Sequence, residues 1–164
     1  MLLAFEVFLL LFSFLNALDL KLFPNFENKK ALVVAFLSVE CPCSMAHEKY
    51  LSQYAAEFKD FEFIVYDANL SESAEQIKNH YVQFPITVIQ DKQQKMANLL
   101  GALKTPHVFI LDKKGQEIFN GGVTDTRSPD EKSRFYLKEA LVAIQKGELP
   151  NPKQVRTLGC TIKR

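Results

Sequence analysis

The chain has 164 residues, 48% of them hydrophobic, enough to bury one core and short of what two domains would need. Its 20 basic and 19 acidic residues leave a net charge of +1, so no global field recruits nucleic acid or an anionic membrane surface. Three cysteines are too few for a disulfide-built scaffold, and an odd count leaves at least one thiol free or exchanging partners.

Residues 1–17, MLLAFEVFLLLFSFLNA, are apolar apart from Glu6, Ser13 and Asn16 and end on a small residue. They read as a secretory signal or an uncleaved N-terminal anchor, the one route by which this chain would meet a membrane. Against a typical signal, no Lys or Arg precedes the run and Leu15 stands three residues from its end; against an anchor, a span normally takes about 20 apolar residues. Export, to the periplasm or another extracytoplasmic space, would place the protein where disulfides persist.

From Ala31, ALVVAFLSV is a continuous apolar run that suits a strand buried on both faces. Pro42 then stands where a first helical turn would start, and His47, Leu51, Tyr54, Ala55 and Phe58 recur at helical spacing, predicting a helix from about Pro42 to Phe58. FEFIVYD reads as a strand, and Ser73 with Gln76 as the capping box of a second helix. ITVIQD and TPHVFILD are further strands with the short helix QQKMANLLGA between them, and Gly115 marks a hairpin to a strand around Ile118. PDEKSRFYLKEALVAIQKG reads as a helix with an acidic first turn and a glycine stop. The order βαβαβαββα predicts an α/β fold: a mixed sheet with helices on both faces, and the first two cysteines at the C-terminal end of a central strand. The domain is expected over 18–149, followed by a tail, 150–164, that carries Cys160.

The chemistry centres on Cys41 and Cys43, which flank Pro42 at that strand-to-helix turn. A helix N-terminus offers unpaired N–H groups and positive potential that lower a cysteine pKa from about 8.5 toward 7, and the thiolate is the nucleophile. Cys41 is therefore the candidate nucleophile, and Cys43 the first candidate to resolve a mixed disulfide formed on it. Buried, inert cysteines are the structural alternative. Cys160 lies thirteen residues beyond Gly147, a span of roughly 40 Å when extended, so it either reaches the same edge as a second resolving thiol or packs under Leu158 and Ile162.

This order, the cysteine turn and GALKTPHVFILDKKG resemble the thioredoxin fold in the version used by the redoxin group, which includes periplasmic thiol oxidoreductases and peroxiredoxins and inserts an extra strand and helix. The likeness covers roughly residues 21–147. It implies a cis Pro106 that lies with Thr105 against Cys41, a substrate-binding edge of Pro42, Thr105, Pro106 and His107, protein thiols or disulfides as substrates, a thiol electron donor and no cofactor. Two departures stand out. Ser44 occupies the place of the usual second cysteine, and Cys43 comes one residue early.

Other functions on this fold remain open at this point. A thiol peroxidase is one, but of the peroxiredoxin pattern only Ser38 is present, with Val34 in place of a proline and no arginine before the Thr-Pro strand. A Cu(I) site of Cys41, Cys43 and His47 is another, since Cu(I) favours thiolates. A binding protein without turnover is a third. His107 stands next to Pro106 as either a modulator of the thiol or a sheet residue, His47 as a core histidine, and His80 and Arg127 as solvated surface.

Overall fold

The computed structural model describes residues 26–164, so the expected leader over 1–17 lies outside the described residues. Strand β1 (Ala31–Leu37) is buried along its whole length because both of its faces are covered. Ala31, Val33, Ala35 and Leu37 face one core, and Leu32, Val34 and Phe36 face the other. Helix α1 (Pro42–Glu57) follows, then β2 (Phe61–Asp67), α2 (Ala74–His80), β3 (Thr87–Gln90) and α3 (Lys95–Leu100). After these come β4 (Lys104–Thr105), β5 (His107–Leu111), β6 (Glu117–Gly121), α4 (Tyr136–Gln145) and β7 (Cys160–Thr161).

The main sheet has the order β3-β2-β1-β5-β6, with β1 and β2 parallel and β5 antiparallel to β1. Leu51, Tyr54 and Phe58 of α1 and Leu137, Ala140 and Leu141 of α4 close one core. Ala97 of α3 and Ile162 of the tail help close the other. This is the mixed α/β sheet of the thioredoxin fold, with β1 central and its C-terminal end feeding α1.

The last helix begins later than its sequence suggests. Asp130 Oδ1 accepts from the Lys132 N–H and the Ser133 hydroxyl, and Arg134 N–H donates to Asp125, so the acidic segment is held as a turn and α4 starts at Tyr136.

The tail is built into the fold. Asn120 exchanges backbone hydrogen bonds with Lys153 and Val155, and a Cβ on Gly121 would stand 2.2 Å from the Val155 side chain, so only glycine lets the tail pass β6. Beyond it β7 pairs antiparallel with β4, Thr105 opposite Cys160. Lys163 N–H donates to Asn69 Oδ1, and the Lys163 carbonyl accepts from Gln94 Nε2 and Leu70 N–H. Both Thr105–Pro106 and Asn151–Pro152 are cis, the first in keeping with the resemblance. Among the described residues no helix is long and apolar enough to cross a membrane.

Candidate active site

Cys41 is the N-cap of α1, in extended conformation, with Pro42 in the first turn. It is buried, 1% exposed, and its thiol donates to the Thr105 carbonyl at 3.1 Å, across 64 residues of sequence. The β4–β7 pairing carries Cys160 to the same place, with its sulfur 2.6 Å from that of Cys41. Cys43 completes the group, all three sulfurs lying within 4.8 Å of one another.

This environment sorts the three thiols. Burial pushes Cys41 up, but the neighbouring Cys160 thiol, Thr105 and the nearby backbone N–H groups of Ser44 and Cys160 outweigh it and lower Cys41 to about 7. Burial and the neighbouring Cys41 push Cys43 up, with Arg127 pulling partly the other way. Cys160 is raised by burial and by the same hydrogen bond that favours the Cys41 thiolate. Cys41 is thus the thiol of the three that ionises most readily.

The turn before Cys41 is clamped by a buried carboxylate. Glu72 Oε1 accepts from the Ser38 hydroxyl at 2.5 Å, the Glu40 N–H at 3.2 Å and Asn69 Nδ2 at 2.8 Å, while Oε2 accepts from the Val39 N–H at 3.0 Å. Burial pushes Glu72 up, but the neighbouring Asp67 and the bonds from Asn69, Ser38 and Val39 hold it down at about 2. Asp67, at the end of β2, is instead raised to about 8 by burial and by the neighbouring Glu72, while its Oδ1 accepts from the Asn69 N–H at 3.2 Å. The Ser38 hydroxyl also accepts from Asn69, so it is engaged in this clamp. None of Glu72, Asn69 and Asp67 is distinguished by sequence pattern; the only local signal is Glu72 just before a capping box.

The remaining predicted residues fall on different sides of the site. Pro42, next to Cys41 in sequence, is exposed, Thr105 is buried with its carbonyl on the Cys41 sulfur, and Pro106 after it is buried and cis. His107 faces the opposite core, its ring tilted against Phe109 with centroids 4.3 Å apart, and makes no hydrogen bond to a cysteine; burial lowers it to about 4. His47 Nδ1–H donates to the Cys43 carbonyl at 2.6 Å and Nε2 accepts from the Thr124 hydroxyl at 2.8 Å. Burial keeps it neutral, and both nitrogens are used, so it tethers α1 to the 124–127 loop and is no metal ligand here. His80 pairs with Glu48 on the surface at 2.8 Å. Arg127 is exposed yet near enough to act on Cys43.

A low-pKa thiol at a helix N-cap, beside a cis proline and a second thiol on a thioredoxin-fold sheet, defines a thiol-based oxidoreductase. The redoxin family profile matches residues 14–136, and the chain belongs to that family. No curated protein matches it significantly. Among solved structures it is similar to a hypothetical protein from Sinorhizobium meliloti 1021, at 25% identity and a TM-score of 0.76, over 85% of this chain and 82% of that one. It is similar to an uncharacterized conserved protein from Geobacillus kaustophilus at 23% identity and a TM-score of 0.77, over 87% and 81%. A candidate thioredoxin from Neisseria meningitidis shares the fold at 16% identity and a TM-score of 0.60, over 76% and 79%.

Proposed function

We propose that the protein is an exported thiol-disulfide oxidoreductase that exchanges disulfides with protein substrates through Cys41. The observation that carries the reading is the sulfur of Cys160 at 2.6 Å from that of Cys41, at a helix N-cap that favours the thiolate. In the reducing direction the Cys41 thiolate attacks one sulfur of a client disulfide, forming a mixed disulfide and expelling the other client sulfur as a thiolate. Cys160 passes its proton to that leaving thiolate or to solvent and attacks Cys41. The client leaves as a dithiol, and a Cys41–Cys160 disulfide remains for a thiol donor to reduce. The reverse sequence oxidises a client dithiol. The short Cys160–Cys41 approach and its place on β7 support Cys160 ahead of Cys43 as the resolving thiol. In this reading residues 1–17 direct or anchor the exported chain, and 18–149 with the tail 150–164 form one catalytic unit.

Reduction of insulin by dithiothreitol tests the proposal: the wild-type protein accelerates it and Cys41→Ser does not. Full activity in Cys41→Ser contradicts it. Peroxidase chemistry fits less well, because Ser38 is committed to Glu72 and Asn69. The three-sulfur cluster favours one second reading, a site for a soft ion such as Cu(I) formed by Cys41, Cys43 and Cys160. Stoichiometric Cu(I) retention against a competing chelator, lost in Cys160→Ser, would select it.

A further inference from the structure

Strand β4 lies outside the main sheet, and among the described residues its strand partner is β7. The tail holds this place by several anchors. Ile162 is 2% exposed in the second core, its N–H donates to the Leu103 carbonyl at 3.0 Å, and Lys163 is fixed to Asn69 and Gln94. Its cysteine meets the reactive thiol from the side of Thr105. Any other polypeptide that offers a sulfur to Cys41 along this path must bring its own backbone beside Thr105, where the tail now sits. An extended segment there would take its hydrogen bonds from the same backbone groups, as strand addition to an open edge does.

We propose that residues 159–162 are a resident strand on the client-docking edge, and that this edge accepts an extended segment with glycine directly before its cysteine. The inference rests on Cys41 being the exchanging thiol. The glycine requirement comes from the tail itself: a Cβ on Gly159 would stand 2.0 Å from the Thr105 carbonyl oxygen and 2.7 Å from its carbon, both backbone atoms that cannot rotate away. A client in the same register meets the same carbonyl. The tail is therefore both a competitor for clients and a template of the sequence they present.

The test uses the full chain carrying Cys43→Ser and Cys160→Ser, which leaves Cys41 as the sole thiol. The probe is the peptide Thr-Leu-Gly-Cys-Thr-Ile, its cysteine activated as a mixed disulfide with thionitrobenzoate. The Cys41 thiolate bonds to the peptide sulfur, the peptide's disulfide breaks, and coloured thionitrobenzoate leaves with the electron pair. The tail is expelled by adding Gly159→Val or, independently, Ile162→Asp. A tethered strand competes at an effective concentration in the mM range, so peptide at about 0.1 mM should react about tenfold faster once the tail is displaced. In the displaced chains a peptide with valine in place of its glycine should react several-fold more slowly. Oxidised glutathione, too small to need the edge, calibrates each chain. The inference is overturned if glutathione exchanges but the peptide rate, relative to it, is the same with the tail seated or displaced. It is equally overturned if the valine peptide is as fast. No exchange with glutathione in any chain defeats the assignment of Cys41 and the function with it.

Discussion

Replacing Glu72 by glutamine removes one charge from beneath the cysteine turn and changes almost nothing in shape. Glu72 is 2% exposed and its two oxygens accept from Ser38, Val39, Glu40 and Asn69. If the amide oxygen keeps the three donors at Oε1, the new NH2 group faces the Val39 N–H, donor against donor. A buried N–H stripped of its acceptor costs about 1–3 kcal/mol, and this one is part-buried, which favours the low end. The three remaining bonds also fall from charge-assisted to neutral strength, worth about another 1 kcal/mol together. The sum is about 2 kcal/mol, or a fall of about 4–8 °C in Tm for a chain of this size. Thermal unfolding of reduced protein at pH 7 reads it. The loosened 38–40 turn should also increase the rate at which iodoacetamide reaches Cys41. An unchanged Tm together with an unchanged alkylation rate would refute the idea that Glu72 holds the turn.

Two titrations follow from the same site. Alkylation of Cys41 should show a midpoint near pH 7, and Cys160→Ala should move it up by about one unit, the worth of one hydrogen bond to a charged group; an unmoved midpoint would mean Cys160 does not stabilise the thiolate. Asp67 ionises at about 8 in the folded protein against 3.8 in the unfolded chain, so it costs stability increasingly as pH rises through that window. Glu72 works oppositely, its contribution being lost only as pH falls from 4.5 toward 2. Asp67→Asn removes the ionisable group and with it the first effect. The Tm of the variant relative to wild type should therefore rise between pH 5 and 8 and level off above, and a constant difference would contradict the assignment.

What sequence could reveal about this molecule follows from the range of each interaction. The run Ala31–Leu37, the proline at the head of α1 and the Ser73–Gln76 box declare themselves because strand burial, helix initiation and capping are settled by near neighbours. The start of α4 is not legible because acidic residues that suit a helix N-terminus suit an Asp-capped turn equally, and Asp125 across the loop decides between them. The Glu72 clamp joins segments more than thirty residues apart, and nothing around Glu72 itself announces the four donors it meets. The tail is the instructive case. Its length permitted Cys160 to reach Cys41, but arrival depends on pairing with a two-residue strand and on Gly121 and Gly159, small residues whose purpose shows only when another backbone lies against them. His107, beside Pro106 in sequence, alternates away to the other core, as strand geometry requires of a residue next to one that faces the site.

The pairing of the cysteines tests the central claim most directly. Mild oxidation of the native protein, blocking of free thiols, proteolysis without reduction and mass mapping should yield a single Cys41–Cys160 disulfide with Cys43 recovered as the blocked thiol. Recovery of a Cys41–Cys43 disulfide, or of all three cysteines in the blocked form, would contradict it.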